Sequence, residues 1–204
     1  MYKSTSLNTN ELSLLLSHAF VQDPWLCKLF TDNTIKTQHF FKFIIHYCKV
    51  IGGQILLEHH DSMLASVACL ELPKTKSFHL GAIKLIGALA SFLTKCGLKP
   101  LRMMNSYMRL TTRYRPKEKH YYLICIGVAP EFMGMGIGKK MLNTIHTIVD
   151  NDISSIGIGL DTENPNNVAL YEHFGYKLTG TEELDGLTIY TMFRPRKTAF
   201  PQEI

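Results

Sequence analysis

Residues 128–140 read VAPEFMGMGIGKK, and Gly134, Gly136 and Gly138 strip the side chains from a turn that leads into a helix. Met141, Leu142, Ile145, Ile148 and Val149 follow at helical spacing, so the turn opens an amphipathic helix. Bare backbone N–H groups at a helix start carry partial positive charge and bind anions. Further along, residues 160–178 read LDTENPNNVALYEHFGYKL. On a helix beginning near Pro165, Asn167 and Tyr171 are four apart and share a face. Phe174-Gly175-Tyr176 then stops that helix with glycine at the left-handed position. The chemistry on offer is an anion cradle followed by a carboxylate, Asp161, and a phenol, Tyr171.

Three classes of anion site use such turns. A Walker A loop requires GxxxxGK followed by Ser or Thr. With Gly138-Lys139 as its Gly-Lys, Lys140 fills the hydroxyl position and Met133 the first glycine position, so the pattern fails twice. A dinucleotide fingerprint requires GxGxxG and an acidic residue about 20 positions further on. Here the spacing is GxGxG, with Asp161 at a tolerable distance, which weakens that reading without excluding it. The third class fits best. IGVAPEFMGMGIGKKML, from Ile126 to Leu142, resembles motif A of the GNAT acetyltransferases. Residues 160–178 resemble that family's second motif, an Asn-rich helix start leading to L-Y-E-x-x-G-F/Y.

The resemblance implies an α/β GNAT fold, a mixed central sheet flanked by helices, with acetyl-CoA as cofactor. It implies that backbone amides of residues 133 to 139 hold the coenzyme diphosphate, which assigns Met133, Gly134, Met135, Gly136, Gly138 and Lys139 to cofactor binding. Met133 stands where the family has Gln or Arg, so the cradle lacks one polar side chain. Ile126 and Val128 would offer backbone groups to the pantetheine arm, and Asn164 would cap the following helix or bond that arm. Asn167 and Tyr171 complete the cofactor side.

Tyr171 is the expected catalytic acid, against the plainer reading of a packing residue. A thiol leaving group ionises near 8.5 and tyrosine near 10, so full proton transfer is uphill by about 2 kcal/mol and a strengthening hydrogen bond is the better description. The attacking amine must be neutral, and Asp161 matches an acidic position of the puromycin N-acetyltransferase-like branch, which the chain is most similar to. Asp161 is expected either to act as base, directly or through water, or to cap its strand end. Glu131 and Glu163 are weaker candidates for that base, with a solvated loop charge as the plainer reading of each. The implied reaction is acetyl transfer to the primary amine of a small molecule by direct attack on the thioester. The alternatives are transfer to a protein or peptide, and a coenzyme A-binding regulator without turnover.

The elements that must position these groups follow from periodicity and punctuation. Asn8 or Thr9 caps a first helix carrying Leu12, Leu15, Leu16, Ala19 and Phe20, and Pro24 begins a short second one. A third helix runs from Thr34 to Val50 and stops at Gly52-Gly53. Strands at Gln54–Glu58 and Leu64–Leu70 form a hairpin through His59 to Ser62. Residues 77–94 and 100–114 read as helices divided by Gly97 and Pro100, and are expected to roof the acceptor pocket. A strand (Tyr121–Val128), a helix (Gly138–Val149), a strand (Ile156–Leu160), a helix (Asn166–Phe174) and two closing strands (Tyr176–Glu183, Thr188–Phe193) complete the order.

Composition narrows the class. The 204 residues are 46% hydrophobic and 19% charged, which suits one globular domain over residues 1–204. A net charge of +5 attracts an anionic ligand but falls short of the basic stripe of a nucleic-acid binder. Arg109, Arg113, Arg115, Lys117 and Lys119 form a basic run, expected to be a solvated face, with long-range attraction of the coenzyme's phosphates as the alternative. Cys27, Cys48, Cys69, Cys96 and Cys125 are odd in number and dispersed, the pattern of reduced thiols in a cytoplasmic protein. Neither they nor His59-His60 have metal-ligand spacing, so no metal is expected. The N-terminus lacks a signal-peptide pattern, and the longest apolar region, Gly81 to Leu93, contains Lys84 and is shorter than the ~20 residues a membrane span needs. The expected partner is a small-molecule amine, with no nucleic acid or membrane, for a monomer or homodimer.

Overall fold

The computed structural model describes residues 8–31, 33–73 and 82–197. Three helices come first: α1 (Thr9–Ala19), α2 (Pro24–Phe30) and α3 (Thr34–Val50). Each starts on a side-chain cap. Asn8 accepts from the Asn10 amide, Asp23 from Leu26 at 2.9 Å and Asn33 from Lys36 at 3.0 Å. Strands β1 (Gln54–His60) and β2 (Met63–Glu71) form a hairpin longer than the expected one. Its turn is the two residues Asp61 and Ser62, both left-handed (φ 47° and 66°), which matches the twist of the flanking strands.

Helices α4 (Ala82–Cys96) and α5 (Leu98–Thr111) follow. The stretch 77–81 of the expected helix lies outside the described residues. Pro100 does not divide the two helices. It sits in the first turn of α5, where a missing N–H has no carbonyl to satisfy. The rest is β3 (Tyr121–Val128), α6 (Ile137–Asn151), β4 (Gly157–Thr162), α7 (Pro165–His173), β5 (Lys177–Leu184) and β6 (Leu187–Pro195). No helix among the described residues is long and apolar enough to cross a membrane.

The strands form one mixed sheet in the order β1-β2-β3-β4-β6-β5. Only β3 and β4 run parallel, joined by the α6 crossover, and they pair at just two positions, Tyr121 with Ile158 and Tyr122 with Gly159. Alternation along the strands divides the core in two. Ala65, Val67 and Cys69 of β2 face α1 to α5, while Ala68 and Leu70 face α6 and α7. The second face is closed at its edge by an ion pair. Arg194 of β6, almost wholly buried, donates to both carboxylate oxygens of Asp150 at the end of α6 (2.9 and 2.8 Å).

Removing one partner of such a pair leaves a buried charge with no counterion. Asp150→Ala is therefore expected to lower unfolding free energy by on the order of 3 kcal/mol, read as a shift in urea midpoint at constant slope.

Candidate active site

Beyond Tyr122 and Gly159, β3 and β4 part. On the other edge of β3, the Ala129 amide donates to the Ala65 carbonyl at 2.9 Å. With Val128 opposite Ser66 and Ile126 opposite Ala68, antiparallel alternation turns the peptide groups of Val128 and Ile126 away from β2 and into the gap. Ile124 is an extra residue on β3, because Cys125 faces Cys69 while Leu123 faces Leu70. That bulge twists the strand where it leaves its neighbour. An exposed strand edge inside a wedge suits an extended ligand carrying amide groups.

The glycine turn lies at the end of β3. Pro130–Phe132 makes one 3-10 turn, after which Met133 donates to Pro130 (3.2 Å) and Met135 to Phe132 (3.4 Å). Those two amides are engaged within the turn. The amides of Gly134, Gly136, Ile137, Gly138 and Lys139 make no bond to other backbone among the described residues. The side chains of Met133 and Met135 are 53% and 54% exposed. Gly134 and Gly136 are left-handed (φ 79° and 78°), and a Cβ on either would meet nothing within 4 Å. Backbone conformation demands the glycines, and the space in front of them is open. Helix α6 begins one residue earlier than expected, at Ile137, with no side-chain cap. An uncapped helix start with free amides fits a diphosphate.

On the opposite side of the gap, a cavity of about 590 Å³ lies between the sheet and helices α2 to α5. Cys125, Ile126, Leu160 and Tyr171 line its base, and Trp25, Phe40, Phe43, Leu89 and Met104 line its walls. Helices α4 and α5 thus stand over the gap. The rings of Trp25 and Tyr107, 4.9 Å apart, tie α2 to α5.

One part of the lining is charged: Asp23, Glu71, Asp161 and Glu163 face a single guanidinium, Arg115, among the described lining residues. Arg115 bonds Asp161 at 3.1 Å and lies 3.5 Å above the ring of Tyr122, whose hydroxyl also donates to Asp161. Asp161 is only 2% exposed, and its Oδ1 has no hydrogen-bond partner among the described residues. Glu163 accepts from the Tyr107 hydroxyl. Burial, with Asp23 beside it, raises the Glu163 carboxyl to about 8. Burial also raises Asp23, against the amide hydrogen bonds that hold it down. The Tyr171 phenol is pushed up to about 12, by burial first and then by Glu163 and Cys125.

Helix α7 places two of the expected residues together, since Asn167 and Tyr171 both reach the cavity. Asn167 is oriented by a 3.3 Å bond to the Thr162 hydroxyl. Asn164 instead caps α7, its carbonyl oxygen accepting from Asn166 at 3.0 Å. Asp161 is not a strand-end cap, because β4 runs on to Thr162 and Asp161 pairs with Thr191. Glu163 is no solvated loop charge, and Arg115 leaves the basic run to enter the cavity. Glu131 is exposed, as expected. Sequence reasoning missed Asp23, Tyr107, Arg115 and Tyr122 as site residues and ranked Glu163 below Asp161 as a base. Glu163 sits in a bend just past β4, so strand alternation gives no signal for it.

The acetyltransferase (GNAT) family model matches residues 84–176, the stretch holding the cradle, the gap and Tyr171. The chain is similar in structure to a Corynebacterium glutamicum protein described as histone acetyltransferase HPA2 and related acetyltransferase. That likeness has a TM-score of 0.69 at 19% identity, covering 98% of this chain and 96% of that one. PH1933 from Pyrococcus horikoshii is similar with a TM-score of 0.59 at 15% identity, covering 97% and 96%. In sequence, the chain is 27% identical over 78 residues to NAT3, the catalytic subunit of the N-terminal acetyltransferase B complex of Saccharomyces cerevisiae. That match spans 37% of this chain and 40% of the yeast protein. The fold is the GNAT fold. Within it, the family match supports the GNAT acetyltransferase superfamily, transferases whose acyl donor is acetyl-CoA.

Two outcomes follow from this geometry. Gly136→Ala forces a Cβ onto a left-handed residue and is expected to destabilise the fold by about 1–2 kcal/mol. It should also weaken coenzyme A binding at least tenfold by calorimetry. Glu163 keeps its proton in the folded chain up to about 8, against 4.5 when unfolded. Its contribution to stability is therefore full below pH 4.5 and is lost as pH rises through about 8. Relative to wild type, the thermal midpoint of Glu163→Gln should climb across that window.

Proposed function

We propose that the protein is an acetyl-CoA-dependent N-acetyltransferase acting on the primary amine of a small molecule, in the cytoplasm. One observation carries this reading: the gap in the sheet, Tyr171 and a cluster of buried carboxyl groups meet at the base of one cavity. The GNAT family match over residues 84–176 supports the acyl donor. The Leu160-Asp161-Thr162 run favours the puromycin N-acetyltransferase-like branch.

Bound acetyl-CoA supplies a thioester carbonyl carbon for the amine and a thiolate as leaving group. The amides of Gly134 and Gly136 to Lys139 would hold the diphosphate, and the Ile126 and Val128 peptide groups would align the arm in the gap. An alkylammonium near pKa 10.4 has to lose a proton before it attacks. Glu163, with an affinity for protons near 8, is the better-matched acceptor of the cavity carboxyls. Asp161, oriented by Arg115 and Tyr122, holds the ammonium in place. Tyr171 stays protonated at any working pH and donates a hydrogen bond to the sulfur as charge develops. At a phenol pKa of about 12, complete transfer to a thiolate near 8.5 is uphill by about 5 kcal/mol, so the thiol takes its final proton from solvent.

A second reading, acetylation of a peptide N-terminus, is favoured by the likeness to the yeast catalytic subunit. Thiol release measured across amines and peptides with free N-termini decides between them. If acetyl-CoA binds tightly and no acceptor releases thiol, the protein is a coenzyme A-binding regulator and the enzymatic reading falls. Tyr171→Phe should lower kcat about 100-fold while leaving acetyl-CoA affinity within twofold. For an amine substrate, kcat/KM should rise with pH through about 8, and Glu163→Gln should remove that limb of the profile.

A further inference from the structure

The cavity has a chemistry of its own. Its walls are aromatic and aliphatic, from Trp25, Phe40, Phe43, Leu89 and Met104, while its polar lining is acidic. The one guanidinium among the described lining residues is already held by Asp161 and stacked on Tyr122. Asp161 Oδ1 is buried and has no partner among the described residues, which leaves a hydrogen-bond acceptor open to a donor. An orphaned carboxylate oxygen is costly unless something satisfies it. Beside it stand the Asp23 and Glu163 carboxyls, which burial keeps from ionising freely.

From this we infer that the acceptor is a monocationic primary amine carried on an aromatic or branched apolar body: the ammonium bonds Asp161 Oδ1 and faces Asp23 and Glu163, and the body fills the apolar walls. The inference rests on the acetyl-transfer reading and deepens it. At about 590 Å³ the space suits a ligand of drug-like size. Other amines fit poorly for stated reasons. A polyamine would press a second ammonium against apolar wall. A peptide N-terminus would bring backbone amides and carbonyls to the same surface without partners. An amino acid would carry a carboxylate toward four carboxyl groups, against one guanidinium that is bonded to Asp161 and has its buried Nε unpartnered among the described residues.

The test uses the full chain with 2-phenylethylamine and 3-methylbutylamine against spermidine and a tetrapeptide with a free N-terminus. Expected is a kcat/KM at least 30-fold higher for the two apolar amines. Calorimetry in buffers of different ionisation enthalpy should show 2-phenylethylamine binding with proton release, because an ammonium beside Glu163 favours its ionised form. Met104→Lys, which places a cation on the apolar wall, should cut use of the apolar amines at least tenfold with acetyl-CoA affinity unchanged. Should spermidine or the peptide outrun both apolar amines, the acceptor assignment is overturned and acetyl transfer stands. Where no acceptor releases thiol, acetyl transfer is overturned and calorimetry alone decides the site. Binding of 2-phenylethylamine with proton release then supports it, and absence of binding overturns it.

Discussion

Two strands that touch only at one end set the terms for everything else in this molecule. The sheet is two antiparallel units, β1-β2-β3 and β4-β6-β5, joined through two residue pairs of β3 and β4. Each unit satisfies its own ladder, so the join can stay open at the cost of a few inward-facing peptide groups. Those of Ile126 and Val128 are the ones left for a ligand. Several small features hold the gap apart. The Ile124 bulge twists β3 away. Gly127 lets α1 press onto the strand, since a Cβ there would lie 2.8 Å from Leu16 and 3.0 Å from Ala19. Helix α6 touches both β3 and β4 and fixes their separation. Closing the gap would remove the cradle's relation to the cavity as well as the slot between them.

The same opening brings carboxyl groups out of bulk water, and they respond in two ways. Asp161 has a cation and a phenol beside it and keeps its charge partnered. Asp23 and Glu163 have each other instead, and both hold protons to higher pH than usual. Two unpaired carboxylates side by side in a desolvated site cannot both ionise cheaply. One cavity therefore holds a carboxyl group with a guanidinium beside it and two without, separated by environment and not by residue type. Binding a cation there relieves both at once.

Local features of this architecture were legible from residues alone, and convergent ones were not. The glycine turn is legible because its requirement is conformational: Gly134 and Gly136 must be left-handed. Helix α7 is legible because its cap, its Asn167–Tyr171 face and its Gly175 stop lie within a dozen residues. Asp23 shows why the cavity was not. It is a true helix cap, bonded to Leu26, and that sufficient local role conceals its place beside Glu163. Arg115 resembles its neighbours in the basic run until β3 and β4 deliver Tyr122 and Asp161 to it. Glu163 lies just past the strand, where direction is set by the packing of α5 and its Tyr107. Helices α4 and α5 could be placed in order, but which of their residues face the gap depends on contacts with α2 and α3 that no local pattern encodes.

On the proposed reaction, burial moves the two working groups the same way and yet separates their tasks. A phenol raised to about 12 is a poorer acid but an undiminished hydrogen-bond donor, and it never becomes an anion that would compete for the ammonium. A carboxyl raised to about 8 is a stronger base once ionised, closer to the amine it must deprotonate. Desolvation thus removes Tyr171 from proton transfer and brings Glu163 into it. Asp161 could not take that second task. Its Oδ2 is already bonded by Arg115 and Tyr122, which leaves it better placed to hold a cation than to take up and pass on a proton. The division of labour follows from which carboxyl has a cation beside it.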